Sequence, residues 1–121
     1  MLRNELYTVL SISQLPGAID AVLQLDPAHS IFEGHFPGQP VLPGVCLMQI
    51  IREMLELATG GKWALQKAAQ VKFVRMIDPR INQELVIHIS YEEKEERMHV
   101  TAAISAGEPA CRFQGVFVGS K

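Results

Sequence analysis

The chain opens with two stretches rich in Leu, Val and Ile, residues 5–12 and 17–25, parted by the turn signal Leu15-Pro16-Gly17. In the second, Ala18, Asp20, Val22 and Gln24 face one way and Ile19, Ala21, Leu23 and Leu25 the other, the period of two expected of a strand. Residues 26–43 hold four of the seven prolines and two of the nine glycines and read as loop. A helix is predicted next, because Leu47, Ile50, Ile51, Met54, Leu57 and Ala58 recur at the spacing of a core-facing stripe. Pro43 before it and Gly60-Gly61 after it fit the usual start and stop asymmetry.

Beyond the helix the period returns to two. Segments 64–76, 84–92, 97–106 and 110–118 read as strands, divided by Asp78-Pro79, Glu93-Lys94-Glu95-Glu96 and Gly107-Glu108-Pro109. Short turns between successive strands predict that these four pair in chain order as an antiparallel meander. The lone helix, about 16 residues and roughly 24 Å long, must bury its stripe against that sheet. The pattern therefore predicts an α+β domain, a curved antiparallel sheet wrapped around one long central helix, spanning residues 1–121 as a single unit.

Composition narrows the function classes. A net charge of −2 offers no basic footprint, so no nucleic-acid partner is expected. No apolar run reaches the ~18 residues of a membrane span. Met1-Leu2-Arg3-Asn4-Glu5 lacks the apolar stretch of a signal peptide, and the expected location is cytoplasmic. Cys46 and Cys111, in no ligand spacing, read as two buried reduced thiols. The four histidines have no carboxylate neighbours at ligand spacing and there is no dinucleotide or phosphate loop, so neither metal nor cofactor is expected.

The chemistry concentrates between His29 and Gln49. Gly34, Gly38 and Gly44 alternate with Pro37, Pro40 and Pro43 around His35, a rigid loop able to present its backbone to a ligand. It runs directly into a helix start at Gly44-Val45, where free N–H groups and the helix dipole favour an oxygen that develops negative charge. Residue types alone leave two readings of His35 open: a base beside that helix start, or a structural histidine bonded to its neighbours.

The run Gly34-His35-Phe36-Pro37-Gly38-Gln39-Pro40-Val41-Leu42-Pro43-Gly44-Val45 resembles the signature of the 3-hydroxyacyl-acyl carrier protein dehydratases, members of the hot-dog superfamily. Ile31-Phe32-Glu33 and Val71-Lys72-Phe73-Val74-Arg75 are similar to flanking family segments. The resemblance implies a hot-dog homodimer, or a higher even oligomer, acting on a thioester of acyl carrier protein or coenzyme A. It gives His35 the action on the C2–C3 bond and the backbone N–H groups of Gly44 or Val45 the thioester carbonyl. Phe32, Phe36 and Met48 become candidates to line an acyl tunnel, and Lys72 and Arg75 to meet an acidic carrier. The family's carboxylate, supplied by the other subunit, falls fourteen residues after the histidine, and here that position is Gln49.

A glutamine amide donates and accepts hydrogen bonds but does not titrate. Three functions follow: dehydration with His35 serving as base and then acid while Gln49 orients the hydroxyl or a water, thioester hydrolysis, or acyl binding without reaction. Glu53, on a polar stripe with Arg52 and Glu56, reads as a solvated or dimer-facing carboxylate, and Glu33 as an exposed loop charge. His29 reads as a turn residue, His88 and His99 as sheet-face histidines.

Overall fold

The structure, a computed structural model, describes residues 2–33 and 40–120. Strands β1 (Tyr7–Leu15) and β2 (Ala18–Leu25) form a hairpin, followed by a 3-10 turn at Ser30–Phe32 and the helix α1 (Gly44–Thr59). Four strands complete the chain: β3 (Trp63–Phe73), β4 (Glu84–Lys94), β5 (Arg97–Ala106) and β6 (Glu108–Gly119). All join one antiparallel sheet in the order β1-β2-β4-β5-β6-β3.

The alternation seen in sequence is the alternation of burial. Ile19, Leu23, Leu85, Ile87, Ile89, Val100, Ile104, Phe113 and Phe117 line the inner face, while their neighbours in the strands are mostly exposed. Onto this face α1 lays Leu47, Ile50, Ile51 and Met54, each buried, and each such side chain stabilises the fold by about 1.5–3 kcal/mol. The stripe departs from its predicted spacing at one residue: Leu57 is exposed, while Ala58 packs half-buried on the core and Cys46, Leu55 and Glu53 are buried as well. Gly60, in the left-handed conformation at φ 74°, stops the helix as its N–H closes on Glu56 O. Among the described residues, no helix is long and apolar enough to cross a membrane.

One expectation fails. The last four strands do not pair in chain order: β4, β5 and β6 form the meander, but β3 pairs with β6 at the far edge. Residues 74–83, of which 74–76 were expected to continue the strand, carry the chain past the β5–β6 turn. Val74 N–H donates to Ala110 O, the Arg75 guanidinium meets Glu108 at 2.8 Å, and Gln83 O accepts from Leu25 N–H on the other side. The crossing spans three strand spacings, about 14 Å, well within reach of ten residues. Placing β3 at an edge lets the helix that precedes it turn straight into a strand, as Trp63 N–H donates to the Glu56 carboxylate. Two register irregularities bend β3, which is exposed along most of its length.

Candidate functional site

Pro43 sits at the N-cap of α1 in an extended conformation and offers no side-chain cap. Its carbonyl accepts from Cys46 N–H at 3.0 Å, so the helix starts with a tight turn. Helix geometry leaves the N–H groups of Gly44 and Val45 without an intrahelical acceptor, with the positive end of the dipole behind them. Leu42, buried, anchors the approach by donating its N–H to Ile77 O at 2.8 Å. Gly44 lets the Phe73 ring close on the helix start: a Cβ there would stand 2.7 Å from Phe73 Cζ and would push that exposed ring aside.

Beside this helix start lies an apolar cleft of about 420 Å³, lined by Val41, Pro43, Gly44, Leu47, Phe73 and Met76 among others. Around it large apolar side chains are exposed together, Val45 74% and Met76 72% accessible, with Phe73 and Val74 also exposed. Arg75 stands at its rim.

The sequence-predicted residues fall as follows. His35 and Phe36 lie outside the described residues. Gly44 and Val45 are the first two residues of α1. Phe32 is buried in the core at the 3-10 turn, and Met48 is half-buried against that core; neither lines the cleft. Gln49, half-buried in the second turn of α1, does not line it either. Lys72 is exposed and lies opposite Arg112 in the sheet register. His29 behaves as a turn residue, its Nδ1 accepting from Ile31 N–H at 3.0 Å. His88 and His99 are exposed sheet-face residues and Glu33 is exposed. Both cysteines are free and buried, and burial raises both thiol pKa values. Among the described residues no group of three His, Cys, Asp or Glu side chains is set to hold a metal.

Glu53 corrects the sequence reading. It is the one charged side chain buried among the described residues, 3% accessible. Its Oε1 accepts from Arg3 N–H at 2.9 Å and from the Tyr7 hydroxyl at 2.7 Å. Its Oε2 accepts from Leu2 N–H and from Gln49 Nε2, each at 2.8 Å. Burial works against the charge, but the hydrogen bonds from Leu2, Tyr7, Gln49 and Arg3 outweigh it and hold the carboxyl below its ordinary pKa. Burial, with the Glu53 contact adding to it, pushes the Tyr7 phenol far up. Three of these donors are 46 to 51 residues away in sequence, which hid the cluster. The spacing of Gln49 and Glu53, one helical turn, was the available signal.

Comparison with known proteins agrees with this architecture. Residues 11–114 match the family model described as ApeI-like, ApeI dehydratase. The 3-hydroxyacyl-acyl-carrier-protein dehydratase FabZ of Latilactobacillus sakei is 29% identical, the match covering 83% of this chain and 85% of that protein. The enzyme of the same name from Haemophilus influenzae is 27% identical over 77% of this chain and 68% of its own. Among solved structures, the dehydratase heterocomplex ApeI:P from Xenorhabdus doucetiae superposes with a TM-score of 0.80 at 24% identity, covering 92% of this chain and 96% of that one. A hypothetical thioesterase with coenzyme A from Streptococcus pneumoniae shares the fold at a TM-score of 0.67 and 9% identity, over 94% and 85% of the two chains. A helix sheathed by a six-stranded antiparallel sheet, and a family match over most of its length, make this chain a member of the ApeI-like dehydratase family of hot-dog proteins.

Proposed function

We propose that this chain removes water from a 3-hydroxyacyl thioester, carried on acyl carrier protein, to give the trans-2-enoyl thioester. The observation that carries the reading is an amide-rich helix start beside an apolar cleft, in a chain that matches a dehydratase family over residues 11–114. The thioester oxygen accepts from the N–H groups of Gly44 and Val45, which lowers the cost of charge on that oxygen as C2 loses its proton. His35 takes that proton, the electron pair forms the C2–C3 double bond, and the C3–O bond breaks. The proton held by His35 then leaves with the hydroxyl as water, so one imidazole serves as base and acid in turn. Gln49 orients the hydroxyl. No cofactor enters this scheme.

Gln49 does not line the cleft of its own chain, and exposed apolar side chains cluster around that cleft. Both points favour a homodimer, or a higher even oligomer, whose two sites lie at the subunit interface and combine His35 of one chain with Gln49 of the other. Phe36 is a proposed acyl-lining side chain, and Phe32 and Met48, which do not line the cleft, would border an acyl tunnel on the core side of the helix; Lys72 and Arg75 would meet the acidic carrier, or the phosphates of coenzyme A. The cytoplasm is the proposed location.

Gln49, which cannot titrate, favours one alternative: water attacks the polarised carbonyl and the thiol departs, making the protein a thioesterase. The two are separated by incubating the protein with crotonyl and 3-hydroxybutyryl thioesters of carrier protein and coenzyme A, following enoyl absorbance and free thiol together. Reversible interconversion of the two acyl forms, lost in His35→Ala, is expected. Thiol release without interconversion would replace dehydration with hydrolysis, and saturable binding with neither would leave an acyl-binding protein.

A further inference from the structure

We infer that Glu53 is a positioning residue: its buried carboxylate holds the Gln49 amide by the nitrogen and so commits the Gln49 carbonyl oxygen to face the substrate as an acceptor. The inference rests on the dehydratase reading above for what that oxygen meets, and on the geometry of the pair for its orientation.

A glutamine side chain can ordinarily turn its oxygen and nitrogen about, because the two ends are nearly the same shape. Here the choice is made by charge. A carboxylate only accepts hydrogen bonds, so the end of Gln49 that lies 2.8 Å from Glu53 Oε2 must be the NH2 group. Reversal would set two acceptor oxygens against each other beside a buried charge. The carboxylate is itself held from four directions, with Oε1 taken by Arg3 N–H and the Tyr7 hydroxyl and Oε2 by Leu2 N–H and Gln49. Those four bonds use its usual lone-pair sites, and its 3% accessibility keeps it from any ligand. Glu53 therefore acts only through Gln49. Gln49 is half-buried, so its remaining polar atoms, Oε1 and the second N–H, are not sealed in the core.

Two consequences follow for the reaction. The hydroxyl on C3 donates its hydrogen to Gln49 Oε1, which fixes the direction of the C3–O bond without any proton being delivered from this side. The amide at position 49 is also explained: a carboxylate there would stand within hydrogen-bond distance of an ionised carboxylate, and the two could not both keep their charge.

The test uses five variants of the protein, one of them a double. Glu53→Gln should lower kcat about 10- to 100-fold with little change in KM, since a misplaced orienting group costs about that much. Gln49→Leu should do the same, and the double variant should lose no more than either alone. Tyr7→Phe is the structural control, because it removes a bond to Oε1 and leaves the Gln49 contact on Oε2 intact; it should lower the melting temperature yet keep kcat within about twofold. Gln49→Glu, which leaves Glu53 in place, should titrate as a coupled pair, with an apparent pKa in the kcat profile above the ordinary carboxylate range. Independently of activity, one side-chain amide proton of Gln49 should be protected from exchange in the nitrogen-15 NMR spectrum of the wild type and of Tyr7→Phe, and lose protection in Glu53→Gln. A Glu53→Gln protein that keeps its kcat, additive losses in the double variant, or an ordinary carboxylate titration in Gln49→Glu would overturn the inference. If the protected amide behaves as expected but the wild type forms no enoyl thioester, the dehydratase reading fails and the fixed amide stands.

Discussion

Two of the hydrogen-bonded side-chain clusters among the described residues look more alike on paper than in space. On the outer face of the sheet, His88 Nδ1 lies 2.7 Å from Asp20 Oδ1, and the Ser90 hydroxyl lies 3.3 Å from His88 Nε2, an order of groups familiar from hydrolytic sites. Under the sheet, Glu53 gathers Leu2, Arg3, Tyr7 and Gln49. The outer cluster is solvated, its His88 and Asp20 side chains 54% and 63% accessible, and it arises because Asp20 and His88 are register partners on adjacent strands. The inner one is buried and ties the N-terminal segment to the helix that presents the site. Burial, more than the identity of the side chains, decides which cluster has consequences.

The largest effect expected is that of Glu53→Ala, which strands a buried donor at Tyr7 and half-buried ones at Leu2 and Arg3. A loss of about 3–5 kcal/mol in urea unfolding is expected, as for breaking a buried charged network. A loss under 1 kcal/mol would mean that the two clusters are energetically alike. Glu53→Gln sharpens the same point through pH. The folded carboxyl titrates below its ordinary value, so the stability it contributes is present above the unfolded pKa of about 4.3 and fades as pH falls through the folded value. The deficit of Glu53→Gln relative to wild type should therefore shrink as pH falls below about 4.3, read as melting temperature. A deficit that is constant with pH would show that Glu53 contributes by shape rather than charge.

The contrast also explains what could be read from sequence. Ile19, Leu23, Ile87 and Ile89 alternate with polar neighbours, and sequence alternation is the burial pattern itself, so β2 and β4 were legible. The helix was legible in place, from Pro43 to Gly60, and its stripe departs only at Leu57, which is exposed while Ala58 packs on the core. The edge position of β3 was not legible, because strand adjacency is fixed by the crossing connector at Val74 and Ala110 and leaves no mark on periodicity. At the site, the helix start and Gln49 stood out through the motif. Glu53 did not, because a carboxylate among Arg52 and Glu56 reads as surface until its donors arrive from residues 2, 3 and 7.

A smaller change probes the sheet side of the comparison. The β4–β5 turn carries Glu95 and Glu96 at φ 52° and 64°, a left-handed pair that Asn-Gly adopts with less strain. Replacing Glu95-Glu96 with Asn-Gly should raise stability by about 1 kcal/mol with enoyl formation unchanged. Lower stability would mean that these side chains do more than cap an exposed hairpin.

The smallest effects belong to the outer cluster itself. Asp20→Asn, His88→Ala and Ser90→Ala should each shift unfolding free energy by less than about 1 kcal/mol, the ordinary range for exposed cross-strand and ionic pairs. Their dehydration rates should stay within about twofold of wild type, because water competes for every polar atom of the trio and its carboxylate and imidazole are held on exposed strands rather than in a pocket. An activated ester such as p-nitrophenyl acetate offers the sharpest check, since Ser90 would be the attacking group if the trio were a working site. Equal hydrolysis by wild type and Ser90→Ala is expected; a rate that disappears in Ser90→Ala and in His88→Ala together would show that an open sheet face here does the chemistry assigned to buried groups, and the comparison would then have to be drawn on geometry instead of burial.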